Sequence, residues 1–214
     1  MLPYSTMRRL PFTPYTPPPM SSSPHSLIPS SLQHPYLRHL RLPFNLLLSP
    51  IYLWGVLLAG GSLRDPAFWL GYVSLQLFLY GGGTAFNSYY DRDEGPIGGM
   101  AEPPPVDRGL LWFSLAVQAL GLPLAWLVGP SFTLAWLVIF VLMAAYSHPA
   151  IRLKSSPWLA LSAVAFGQGC VGFAVGWLAV QPALRTLLDP AALVGGPPGR
   201  PYLGMVTTAL IVTG

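Results

Sequence analysis

From Gly109 to Ile151 the chain runs 43 residues without a formal charge. A helix crosses the hydrocarbon of a bilayer with about 20 apolar residues. The run is therefore too long for one crossing, and Gly129-Pro130-Ser131 divides it into a tight helical hairpin. Similar uncharged stretches lie between Arg41 and Arg64, from Pro66 to Tyr90, and from about Trp158 to Val180. The whole chain is 52% hydrophobic and 8% charged, against about 25% charge in a soluble domain. The expected fold is all-α, a multispan transmembrane helical bundle with five full spans and a sixth begun at Tyr202. That sixth stretch holds 13 residues up to Gly214, too few to cross.

Residues 1–43 hold ten Pro and seven Ser, and the first acid is Asp65. Such a composition cannot bury a core. Residues 1–35 are read as a disordered tail and 36–214 as one membrane-embedded domain. No apolar run long enough for a cleaved signal precedes Leu42, and the prolines oppose the amphipathic helix of a transit peptide. The single Cys170 excludes a disulfide framework. Eleven Lys and Arg outnumber seven Asp and Glu, but they are scattered at segment ends rather than gathered on a nucleic-acid-binding face. With the N-terminus cytoplasmic, Arg8, Arg9, Arg38, Arg41, Arg92, Arg108, Arg152 and Lys154 lie inside, and only Arg64, Arg185 and Arg200 lie outside. The expected location is a bacterial-type plasma membrane.

The second stretch runs into Asn87-Ser-Tyr-Tyr-Asp91-Arg-Asp93-Glu94-Gly95-Pro96. On one helix over 67–94, Gln76, Tyr80, Gly83, Asn87, Asp91 and Glu94 share a face. A polar stripe is costly against lipid, so it should face other helices or a cavity with the carboxylates at the mouth. Gly95-Pro96 is the expected helix stop. Asn87, Asp91 and Glu94 would converge as oxygen ligands, and Mg²⁺ takes one or two carboxylates together with substrate phosphate oxygens. Asp93 points away and joins only if the helix unwinds before Gly95. Tyr146-Ser-His-Pro-Ala-Ile-Arg152-Leu-Lys154 lies on the same side of the membrane, with a guanidinium and an ammonium able to hold a leaving diphosphate. His148 is read as a loop residue, and Gln118 and Gln168 as interhelical hydrogen-bonders. Gly81-Gly82-Gly83 either gives a long substrate room or permits tight helix contact. Gly172 and Gly176 form a small-xxx-small face.

At these residues the chain resembles the UbiA-type membrane prenyltransferases. That family carries Asn-Asp-x-x-Asp-x-x-x-Asp after its second span, a Tyr-to-Lys basic motif after its fourth and a second aspartate motif after its sixth. Asn87 and Asp91 match the first and fifth positions, while Ser88 and Gly95 stand where the family has Asp. Tyr146, Ser147, Pro149, Arg152 and Lys154 look like the basic motif, and Arg41-Leu-Pro-Phe-Asn45 is similar to the family's opening. Glu102-Pro103 replaces the usual Arg-Pro pair. The resemblance implies transfer of an isoprenyl group from an isoprenyl diphosphate to an aromatic, quinone-precursor or chlorophyll-precursor acceptor, with Mg²⁺, in a lipid bilayer and without nucleic acid. It implies Asp91 and Lys154 as catalytic, Asn87, Arg152, Lys154 and Tyr146 around the diphosphate, and Asn87, Asp91, Glu94 and Asp93 around the metal. The alternatives are a non-catalytic carrier or scaffold on the same fold, or an isoprenyl diphosphate lyase or cyclase. With the second aspartate motif absent, the natural frame is expected to run on past Gly214 and the 214-residue form to be inactive alone.

Overall fold

The computed structural model describes residues 34–188 and 200–214, so the Pro/Ser-rich tail up to residue 33 lies outside the described residues. Proline starts most of the helices, as its fixed φ and missing N–H suit a first turn. Helix α1 is Pro35–His39, α2 is Leu42–Leu46 and α3 is Ser49–Leu58, each with Pro in its first two positions. Helix α4, Pro66–Val73, is capped by Asp65, whose carboxylate accepts from the Ala67 N–H at 2.9 Å. A π-helical segment, Ser74–Tyr80, carries the rod on into α5, Gly81–Asp91. The expected hairpin is present: α6, Arg108–Val128, turns at Gly129 into α7, Pro130–Ser147. After a short 3₁₀ turn, Leu153–Ser155, come α8 Pro157–Val164, a second π-helical segment Ala165–Val171 and α9 Gly172–Leu178. The last two helices are α10, Arg185–Leu188, and α11, Arg200–Thr213.

Among the described residues, length and apolarity mark three helices able to cross a membrane: α6, α7 and the Pro157–Leu178 rod. A fourth is added if Pro35–Leu46 and Ser49–Leu58, bent by 47°, make one broken span. The sequence reading expects five. The first stretch is a bent pair rather than a straight helix because Leu47–Leu48 interrupt it between α2 and α3, while the left-handed backbone of Arg41 separates α1 from α2. The Pro66–Asp91 rod is long enough, but Gln76, Asn87, four glycines and four tyrosines dilute its hydropathy. Nor does that rod reach Glu94. It stops at Asp91, where Arg92 turns left-handed at φ 51° and its N–H closes on the Ser88 carbonyl. Gly95-Pro96 are therefore not the stop.

Two kinds of contact hold the bundle. Helices α3 and α9 cross backbone on backbone: a methyl added at Gly176 would meet the Tyr52 carbonyl, with the Tyr52 carbonyl carbon at 2.9 Å, and one at Gly55 would meet the Phe173 carbonyl. Gly176 thus serves the close packing expected of the small-residue face, whereas Gly172 is looser, a methyl added there lying 3.3 Å from the Ile51 side chain. Around this crossing Tyr52, Phe132, Trp136 and Phe173 are fully buried, and the Tyr52 hydroxyl donates to the Phe68 carbonyl at 2.9 Å. Helices α5 and α6 meet where Gly82 lies under Gln118 and the Ser114 carbonyl. Gln118 is not the expected interhelical bridge. Its amide donates to Ser114 of its own helix at 3.1 Å because Gly82 brings the α5 backbone against its stem.

The loop from residue 92 to 107 folds back onto α1 at one end of the bundle. The Tyr36 hydroxyl donates to Asp107 at 2.6 Å and Arg38 donates to the Glu102 carbonyl at 2.8 Å. This end also receives the Arg152–Lys154 turn.

Candidate active site

The last turn of α5 presents Asn87 and Asp91 four residues apart, and the turn after α7 brings basic groups onto them. Lys154 Nζ donates to Asn87 Oδ1 at 2.8 Å and to Asp91 Oδ1. Ser147 Oγ donates to the same Asn87 oxygen at 2.5 Å. The ammonium also lies 5.8 Å from the centre of the Tyr146 ring, within cation–π range. Lys154 and Asp91 are mostly buried, with side chains 15% and 16% exposed, whereas Arg152, 3.9 Å from Asp91, is 49% exposed. Lys154 is therefore the desolvated partner and Arg152 a screened one at the rim.

Arg41, Arg92 and Arg152 are the non-glycine residues with positive φ among the described residues, at 47°, 51° and 46°. Left-handed backbone costs an L-residue about 1–2 kcal/mol, so the three turns around the site hold strain that the rest of the fold sustains. Arg41 is 9% exposed and donates to Ser88 Oγ at 2.7 Å, while its Nε is buried without a partner among the described residues. Sequence reading treats Arg41 as a topological charge and misses it as a site residue. The available signal was its place in the Arg41-Leu-Pro-Phe-Asn45 opening together with Ser88.

Below Asn87 a cavity of about 270 Å³ runs between α5, α7 and the Pro157–Leu178 rod. Its mouth carries Arg41, Asn87, Tyr146 and Ser147, its walls Gly83, Ile139, Leu142 and Met143, and its far end Tyr80 and Gln168. The expected polar stripe is thus present in part: Tyr80, Gly83 and Asn87 face one cavity. Gln168, expected to bridge helices, has no hydrogen-bond partner among the described residues and faces the cavity instead. The π-helical segment that carries it shifts the register of its helix.

The structure brings Asn87, Asp91, Tyr146, Arg152 and Lys154 together. Asp93 and Glu94 fall past the helix end and are exposed. No three His, Cys, Asp or Glu side chains among the described residues form a ready metal cluster. His148 is a loop residue as expected, closing α7 and accepting from the Ala150 N–H at 3.3 Å. Nearby, Asp107 caps α6, and the Tyr36 hydroxyl, followed by the Leu110 N–H, holds its carboxyl below the usual carboxylate range.

Nothing among curated proteins or solved structures matches this chain. A model of the UbiA prenyltransferase family does match, over residues 48–210, a span that contains α3 to α9, the Asn87–Asp91 turn and the Tyr146–Lys154 turn. With most of its length covered and its apolar crossing helices in place, this chain is an integral membrane protein that belongs to the UbiA prenyltransferase family.

Proposed function

We propose that the chain moves an isoprenyl group from an isoprenyl diphosphate to an aromatic, quinone-precursor or chlorophyll-precursor acceptor. In this reading the bundle crosses the bilayer with five full spans, the N-terminus is cytoplasmic and the mouth opens on the cytoplasmic face of a bacterial-type plasma membrane. The observation that carries the reading is the Lys154 ammonium held between Asn87 Oδ1 and Asp91 Oδ1 at the mouth of a largely apolar cavity.

The residues fit a Mg²⁺ ion. Two hard oxygen donors already converge on one cation, the Lys154 ammonium. Asn87 and Asp91 would hold the metal, joined by Glu94 or Asp93 from the loop, and when bound it would act as a Lewis acid on the diphosphate oxygens. Lys154 and Arg152 donate to the same diphosphate and offset charge as the allylic C–O bond breaks with its electron pair going to the leaving group. Tyr146 steers the ammonium through its ring face. The acceptor carbon then bonds to the allylic carbon and releases a proton, while the apolar walls keep water from capturing the cation.

The test is Mg²⁺-dependent binding and turnover of labelled geranyl and farnesyl diphosphates in membranes. Asp91→Asn should weaken Mg²⁺-dependent binding at least about 10-fold and abolish turnover, since it removes the charged oxygen that would hold the metal against the diphosphate. Wild-type behaviour in Asp91→Asn ends the proposal. A larger loss in Asp93→Asn than in Glu94→Gln identifies Asp93 as the second acid.

A further inference from the structure

The seam between the first helices and the Pro66–Asp91 rod holds three buried polar atoms that the packing leaves unsatisfied. Asn45 is 1% exposed and Gln76 5%. The Asn45 amide nitrogen donates to the Leu40 carbonyl at 2.8 Å, but its Oδ1 has no hydrogen-bond partner among the described residues, and neither has either end of the Gln76 amide. The two residues lie at one level. On one side of them the Ser49 and Tyr72 hydroxyls share a hydrogen bond of 2.7 Å. On the other, a methyl added at Gly81 would lie 3.6 Å from the Leu40 and Leu42 side chains. Asn45 stands four residues before Ser49, and Gln76 four after Tyr72, so these two fixed points set Asn45 against Gln76 across the seam. Gln76 is about 15 Å along the rod from Pro66 and about 22 Å from Asp91. At that depth an unpaired amide is costly.

The chemistry of the three atoms selects what fills the seam. Two amide oxygens require a donor, and one amide nitrogen requires an acceptor. A lipid chain offers neither. A cation would meet neutral oxygens only, since Asp65 and Asp91 stand at the two ends of the rod. The burial of both residues admits nothing larger than a small molecule. Water both donates and accepts, and a buried water makes about three hydrogen bonds to groups of this kind. Both helical elements are also irregular at this level, the rod being π-helical over Ser74–Tyr80 and the first stretch breaking at Leu47–Leu48. Such irregularities are where water enters between helices.

We propose that Asn45 and Gln76 form an internal hydration site, whose ordered water donates to Asn45 Oδ1 and Gln76 Oε1 and accepts from Gln76 Nε2. The water joins α2 to the rod between the Thr84–Leu40 and Ser49–Tyr72 hydrogen bonds, and so completes a polar seam along the helix that Arg41 caps. The site stands independently of the reaction the chain performs.

The experiment uses the full chain in lipid nanodiscs, with its glutamines labelled with nitrogen-15. Water-edited solid-state NMR should show magnetisation passing from water to the Gln76 side-chain amide, the peak that Gln76→Leu deletes. Asn45→Leu removes one partner of the water and should lower that transfer about fivefold. Absence of transfer in the wild type overturns the proposal, because a direct amide–amide bond or a dry seam would give none. So does transfer that Asn45→Leu leaves undiminished. Melting temperature supplies an independent sign: Gln76→Leu should melt about 5 °C below wild type, because it strands a satisfied partner. A rise in melting temperature, the result of replacing an unpaired buried amide with an apolar group of similar volume, overturns the proposal as well. Should Gln76→Leu fail to fold, Gln76→Met assigns the peak and the wild-type transfer still decides.

Discussion

Glycine plays opposite parts on the two sides of this bundle. On the α3–α9 side, Gly55 and Gly176 bring two backbones into contact, and what a side chain would meet there is a carbonyl that cannot move aside. On the cavity side, Gly83 and Gly167 face the flexible ends of Met143 and Leu142. The first pair makes a dry, close-packed seam; the second clears space beneath the site. What decides between these roles is the neighbour, and the bundle is accordingly rigid where nothing binds and open where something must enter.

The largest effect should come from testing that contrast directly. Gly176→Ala places a methyl against the Tyr52 backbone and should cost about 3 kcal/mol, since overpacking a tight seam costs about 1–3 kcal/mol and sometimes more. Gly83→Ala, opposed by the Met143 side chain, should cost under about 1 kcal/mol. Thermal unfolding in detergent compares them, and equal losses would break the distinction between seam and cavity.

A second contrast lies within the mouth. Lys154→Met removes the desolvated partner of Asp91 and should weaken diphosphate binding by more than about 30-fold, whereas Arg152→Met, at the half-exposed rim, should cost less than about 5-fold. Titrations at low and high salt sharpen the point, because the Arg152 effect should fade with salt and the Lys154 effect should persist.

The smallest effect concerns the latch between α1 and α6. The Tyr36 hydroxyl lowers the Asp107 carboxyl below its ordinary value, so the stabilisation is present above the unfolded carboxylate value of about 3.9 and is lost as pH falls through the lower folded value. Tyr36→Phe should melt slightly below wild type at neutral pH, and the difference should vanish once the pH has fallen through the folded Asp107 value. A constant difference across that range would mean that packing of the Tyr36 ring, not the hydrogen bond, carries the effect.

Local pattern made much of this fold legible. The 43-residue uncharged run demands a hairpin, and Gly129-Pro130 is the position in it that breaks a helix. Asn87 and Asp91 share a face because they lie four residues apart on a helix that reaches both, and the same spacing argument failed for Glu94, which depends on the helix continuing through Arg92. Counting segment ends puts the Asp91 and Lys154 turns on one side, but the ion pair between them is not read from the sequence and is a finding of the structure.

What the sequence by itself determined, then, is the all-helical class, the apolar rods, the hairpin and the acidic and basic character of the turns after α5 and α7, since each depends on periodicity or charge along the chain. Only the tertiary structure decided that the first stretch bends by 47°, that Arg41 is buried against Ser88, that Gln118 turns to its own helix and that Gln168 faces a cavity. Each of these is settled by which distant side chain or backbone occupies the neighbouring space, and residues far apart in sequence leave no local signature of who will pack against whom.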